Sequence, residues 1–202
     1  MKKYIKLIAA VLTILTAALS LSLMTGCSSG EKFVFELTES GEAILVDYRG
    51  RDKNVTVPAE WQGATVSSVG RYAFANVQSI TSVELPESVT DIGDFAFAGC
   101  KRLESVTFPE GGVAIGRGCF SGCIKLTAVE LQGVDAIPDL AFADCASLTS
   151  VTGGRPRSIG SSAFKGCSSL TDYSIPDTVE SLGDEAFAYC GALRSISIGT
   201  SV

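Results

Sequence analysis

From Ile80 onward the apolar residues of this chain fall into two alternating patterns. In one, Leu103, Val106 and Phe108 follow Leu-x-x-Val-x-Phe, and the last three positions alternate inward and outward. That alternation predicts a short half-buried strand. The same column reads Ile80/Val83/Leu85, Leu126/Val129/Leu131, Leu148/Val151, Leu170/Tyr173/Ile175 and Leu193/Ile196/Ile198. The other pattern is Ile-Gly-x-x-Ala-Phe-x-x-Cys, too short for an ordinary helix and too compact for a strand. It predicts a 3₁₀ or single helical turn, with a small residue (Ala73, Ala96, Ala141, Ala163, Ala186, and once Cys119) letting the Phe point inward.

The two patterns return together every 22 or 23 residues, with Phe74, Phe97, Phe120, Phe142, Phe164 and Phe187 in register. Three positions after each Phe stands Val77, Cys100, Cys123, Cys145, Cys167 or Cys190. A period of this length marks a repeat solenoid, because one such unit cannot bury its own apolar face and must stack on its neighbours. The expected fold is a superhelix with one parallel β-strand per rung. Six rungs occupy residues 69–202, and the last is incomplete. The sequence stops at Gly199-Thr200-Ser201-Val202, partway through a rung, which reads as a fragment or a frayed end rather than a face covered by a partner.

Residues 33–68 precede the rungs as an expected N-terminal cap. Phe33–Leu37 and Ala43–Tyr48 flank a polar turn at 38–42 and predict a hairpin, and Val55-Thr56-Val57-Pro58 imitates the end of a strand column. Further upstream, Lys2, Lys3 and Lys6 precede an apolar run from Leu7 to Leu23, the pattern of a secretory leader over residues 1–26. Leu23-Met24-Thr25-Gly26-Cys27 resembles a bacterial lipoprotein lipobox, with Met24 where Leu is usual. The resemblance implies lipidation at Cys27, a spacer to residue 32, and an exported chain anchored to the cell membrane or outer membrane and facing outside. An uncleaved anchor helix is the alternative, and it also tethers the protein.

The rungs resemble the BspA-like leucine-rich repeat family of bacterial surface lipoproteins, whose units read Ile-Gly-x-x-Ala-Phe-x-x-Cys-x-x-Leu-x-x-Val-x-Leu-Pro. The resemblance covers about Val55 to Val202. It implies a leucine-rich repeat right-handed superhelix, a hairpin as N-terminal cap, and a surface-tethered binding role that includes adhesion. Departures cluster in rungs three and four, where Gln132 and Gly154 replace the Pro and each unit is one residue shorter. Pro138 also replaces the Gly after Ile, and its fixed φ shows that this slot does not require a left-handed backbone.

Composition narrows the function further. With 202 residues, 46% hydrophobic and 19% charged, the chain suits one modest domain. Taking the three leader lysines from 16 basic residues leaves 13 against 22 acidic ones, a net of −9. Nucleic acid is therefore not an expected partner, since phosphate neutralisation needs a basic face. There is no histidine, which removes the commonest general base and the commonest zinc ligand. No cofactor, metal or catalytic residue is expected, and the chain does not read as an enzyme.

The cysteine column invites a metal or disulfide reading. Val77 in the same slot argues instead for buried, mostly reduced thiols. Cys119 stands out of phase, in the Ala slot, where oxidation with Cys100 or Cys123 is the reading to test. Glu84 and Glu130 share an outward column, and paired carboxylates can hydrolyse glycans, but polar outward positions are ordinary in a strand. Recognition is the stronger expectation. Glu84, Thr107, Glu130, Thr152, Ser174 and Ser197 form one outward column, and Ser82, Ser105, Ala128, Ser150, Asp172 and Ser195 a second. That sheet face is the candidate surface for a protein or other envelope or host macromolecule. The competing role is a passive spacer of the cell envelope.

Overall fold

The structure, a computed structural model, describes residues 31–197 with Gly199 and Ser201. The expected leader over 1–26, the lipidation position Cys27 and the inward residue Ile198 lie outside the described residues. Lys32–Val202 forms one compact unit and contains the whole hydrophobic core found among the described residues. A protein beginning at residue 31 therefore carries what its core needs to fold.

In chain order the cap and first turn hold β1 (Phe33–Leu37), β2 (Ala43–Tyr48), β3 (Asn54–Thr56), β4 (Glu60–Trp61) and β5 (Ala64–Val69). The rungs follow as β6 (Ser82–Glu84), β7 (Asp91–Ile92), β8 (Ser105–Thr107), β9 (Ala114–Ile115), β10 (Ala128–Glu130) and β11 (Ala136–Ile137). They end with β12 (Ser150–Thr152), β13 (Ser158–Ile159), β14 (Asp172–Ser174), β15 (Ser181–Leu182) and β16 (Ser195–Ser197). β1 and β2 form the expected antiparallel hairpin, and β2 then pairs parallel with β5. β4 pairs antiparallel with β5. The chain is a β-solenoid of about 7 turns with parallel strands about 23 residues apart.

The alternating strand pattern forms one ladder, β3 with β6 and β8, β10 with β12, and β14 with β16. Its inward residues are buried from Val55 through Val83, Val129 and Tyr173, because every second side chain faces the core. Val106 and Val151 are half-buried, and the last rung opens further, with Leu193 half-buried and Ile196 36% exposed. The Ile-Gly segment adds a second ladder, β5-β7-β9 and β11-β13-β15, made of two-residue strands after β5, which the sequence pattern did not announce. Here Ile92, Ile115, Ile137 and Ile159 supply the buried side chain.

On the third side each rung makes the turn that carries Phe. The i→i+3 bonds of a 3₁₀ turn occur at every second residue, as in Ala73 N–H to Gly70 O (3.2 Å), Ala75 N–H to Tyr72 O (2.9 Å) and Val77 N–H to Phe74 O (3.1 Å). The intervening amides donate instead to the next rung: Phe74 to Ala96 (2.7 Å), Phe97 to Cys119 (2.9 Å), Phe120 to Ala141 (2.8 Å), Phe142 to Ala163 (2.8 Å). This alternation needs a left-handed residue two before and two after each Phe. Tyr72 and Asn76, Phe95 and Gly99, Leu140 and Asp144, and Glu185 and Tyr189 all have positive φ. Left-handed backbone at a residue with a side chain costs roughly 1–2 kcal/mol, which the axial hydrogen bonds and ring stacking offset.

Close approach, not backbone freedom, explains the Gly after Ile. Neither Gly160 nor Gly183 has a positive φ, and a Cβ at those positions would stand 2.4 Å from Asp139 N and 2.3 Å from Ser161 N. Pro138 breaks this column with a visible consequence. Gly116 and Gly160 donate to Ile92 O and Ile137 O at 2.7 Å, but proline has no N–H to offer Ile115, and β9 and β11 do not pair. β8 and β10 part between the same two rungs, where a six-residue corner (108–113) meets a five-residue one (131–135). A second break, between β12 and β14, falls where the corner lengthens again from 153–157 to 175–180.

Candidate binding surface

Strand alternation carries the outward column. Glu84, Thr107, Glu130, Thr152, Ser174 and Ser197 each occupy the exposed third position of a strand, and register pairs Glu84 with Thr107, Glu130 with Thr152, and Ser174 with Ser197. Thr56 extends the column by one rung, its hydroxyl donating to Glu84 Oε2 at 3.2 Å. At the far end the hydroxyls of Ser197 and Ser174 lie 2.8 Å apart. In the neighbouring column Ser82 donates to Asn54 Oδ1 at 2.9 Å and Ser195 to Asp172 Oδ1 at 2.7 Å. The Ser195 and Thr171 hydrogen bonds hold the Asp172 carboxyl below its usual range.

The break between β8 and β10 gives this flat face its relief. A cavity of about 310 Å³ opens there, lined by Val106, Thr107, Phe108, Pro109, Glu110, Glu130 and Gln132. Thr107 and Glu130 are thereby brought to one cleft, with Glu130 Oε1 accepting from Gln132 Nε2 at 2.7 Å. The remaining outward residues stay on the ladder to either side. Sequence reading missed the cleft, although the shortened repeat beginning at rung three was its signal.

The cysteines belong to packing, with a role that composition alone did not reveal. Each thiol of the repeat column, Cys119 apart, donates to the carbonyl of the Phe one rung earlier: Cys100 to Phe74 (2.9 Å), Cys123 to Phe97 (3.1 Å), Cys145 to Phe120 (3.1 Å), Cys167 to Phe142 (3.2 Å) and Cys190 to Phe164 (3.2 Å). Val77 has no earlier Phe of this column beneath it, so a plain apolar side chain serves. All six described cysteines are free, and Cys119, fully buried, forms no bridge to Cys100 or Cys123. Burial pushes the thiols of Cys100 and Cys167 from 9.0 up to about 12 and raises the others as well.

A protein of residues 31–202 should therefore leave its thiols unalkylated by iodoacetamide at pH 8, with half-buried Cys190 reacting first, and expose six on unfolding. Fewer than six would mean a bridge. Because the folded thiols keep their protons while unfolded ones ionise above about pH 9, stability is full below that pH and should fall as pH rises towards 12. A melting temperature flat from pH 8 to 11 would contradict this.

Among the described residues no group of three metal-ligating side chains is present, and no helix is long and apolar enough to cross a membrane. The parallel ladders, the inward Leu/Val column and the polar outward column define a leucine-rich-repeat-type solenoid. The chain belongs to the BspA type leucine rich repeat family, whose repeat region it matches in six copies over residues 67–193. Among solved structures it is similar to a leucine rich cell surface protein of Faecalibacterium prausnitzii, at 30% identity and TM-score 0.63 over 83% of this chain. It spans 53% of that protein's length. It is also similar to the leucine-rich repeat protein of T. pallidum, at 28% identity and TM-score 0.64 over 81% of this chain and 89% of that one. A leucine-rich repeat protein from Bacteroides ovatus matches at 25% identity and TM-score 0.59, over 86% of this chain and 53% of that one. No curated protein matches. Proteins of this repeat family are typically non-enzymatic.

Proposed function

We propose that this chain is a non-enzymatic, surface-tethered binding module whose outward strand column engages a protein or other macromolecule of the envelope or host. The observation that carries the reading is the cleft at the break between β8 and β10, which gathers Thr107, Glu110, Glu130 and Gln132 on the polar face. Likeness to a bacterial cell-surface protein supports an outside location. The lipobox-like Leu23–Cys27 supports a lipid anchor at Cys27, and two acyl chains suffice for stable attachment where one is marginal.

The internal hydrogen bonds of the two outward columns favour a second reading, a passive spacer whose polar groups satisfy one another. Capture experiments with residues 31–202 separate the two. A partner retained by wild type and lost by Glu84→Lys/Glu130→Lys supports the strand face, whereas no partner for either protein supports the spacer. For the tether, radiolabelled palmitate should be incorporated by wild type and not by Cys27→Ala.

A further inference from the structure

A cavity of about 530 Å³ lies away from the strand-face cleft, lined by Tyr48, Arg49, Gly50 and Arg51 after β2, by Val77, Gln78 and Ser79, and by Arg102 from the next rung. Three guanidinium-bearing residues thus converge from two separate parts of the chain. Arg49 is paired with Asp47 at 2.7 Å, and nearby Asp52 is engaged by Lys32 at 2.9 Å and by the Tyr48 hydroxyl at 2.9 Å. Arg51 and Arg102 are exposed and make no ion pair or side-chain hydrogen bond among the described residues. The Ser79 hydroxyl is shielded from solvent and has no hydrogen-bond partner.

Arg51, Arg102 and the Ser79 hydroxyl thus leave hydrogen-bond donors without an acceptor along this cavity. Gln78 holds the wall in place, its Nε2 donating to Asn76 O at 2.9 Å and to Gly99 O at 2.8 Å. We propose that this arginine cleft binds a phosphate group. Guanidinium forks match phosphate oxygens two at a time, and a phosphate offers enough acceptors for Arg51 and Arg102 together with the Ser79 hydroxyl after a side-chain rotation. A carboxylate, with two oxygens, offers fewer acceptor sites to the same donors.

Two sources carry this chemistry, a phospholipid headgroup and a soluble or polymer-borne phosphate. Arg49 N–H donates to Lys32 O at 2.7 Å, so the cleft borders the start of the folded unit. Four residues separate Lys32 from Cys27, and the five chain steps between them span at most about 18 Å. The headgroup source rests on the proposed anchor at Cys27, and the phosphate site itself does not.

The test uses residues 31–202 as wild type, as Arg51→Ala/Arg102→Ala, and as Arg155→Ala/Arg194→Ala to match the charge loss elsewhere. Inorganic phosphate, titrated against sodium chloride of equal ionic strength, should raise the melting temperature of wild type and of the control variant. Affinity should fall about tenfold or more when the two cleft arginines are lost. Flotation with vesicles of phosphatidylglycerol against phosphatidylcholine then identifies the source. Binding to the anionic vesicles that phosphate competes away assigns the headgroup, and a phosphate response without vesicle binding assigns a soluble or polymer phosphate. No phosphate effect beyond chloride, or equal loss in both double variants, overturns the proposal. Neither result bears on the strand-face reading, which rests on Glu84 and Glu130.

Discussion

Replacing Phe142 with alanine should lower the unfolding free energy by about 3–5 kcal/mol, the range for removing a large buried aromatic. Phe142 is fully buried and stacks between Phe120 and Phe164 at centroid distances of 5.5 and 5.4 Å. Collapse around the cavity is obstructed, because hydrogen bonds from Phe120 to Ala141 and from Phe142 to Ala163 fix the rungs on both sides. Phe187, half-buried at the end of the stack, should cost clearly less when truncated. Urea unfolding followed by far-ultraviolet circular dichroism measures both. An unchanged midpoint for Phe142→Ala would remove that ring from the core. A lower m-value would show instead that the array unfolds in parts, which repeat proteins can do when a central interface weakens.

Gly160→Ala should be the second most damaging change, at about 1–3 kcal/mol for forced overpacking. The added Cβ would meet Asp139 N at 2.4 Å and Pro138 C at 2.7 Å, both backbone atoms of the adjacent rung that cannot swing aside. Gly191→Ala provides the internal comparison. It has no positive φ and nothing within 4 Å of an added Cβ, so it should be neutral or stabilise by about 0.4–1 kcal/mol through the unfolded chain. Equal midpoints for the two variants in the same urea titration would defeat the close-approach account.

Much of the fold was legible because it is periodic. A solenoid repeats the same contact at a fixed chain interval, so inward residues such as Leu103, Phe120 and Leu126 appear as columns before any coordinates are known. The hairpin was legible for a local reason, two alternating segments around a polar turn. Tyr48 was harder to place. It joins the hairpin's aromatic residues to the Phe column, 5.2 Å from Phe33 and 5.0 Å from Phe74, but it shares no motif with the rungs. The exposed strand column was also readable, since alternation puts Glu84, Thr107 and Glu130 outward wherever Val83, Val106 and Val129 turn in.

By itself, the sequence determined the repeat length, the inward Phe and Leu columns, the buried thiol slot and the polarity of the outward face, all set by side-chain type at a fixed spacing. Tertiary structure alone decided the second ladder, the thiol bonds to Phe carbonyls, the break between β8 and β10, and the placing of Arg51 and Arg102 along one cavity. The physical reason is that these depend on how one rung is displaced relative to the next. A one-residue change in a corner, or a proline without an N–H, alters that displacement while leaving every column of the repeat in place.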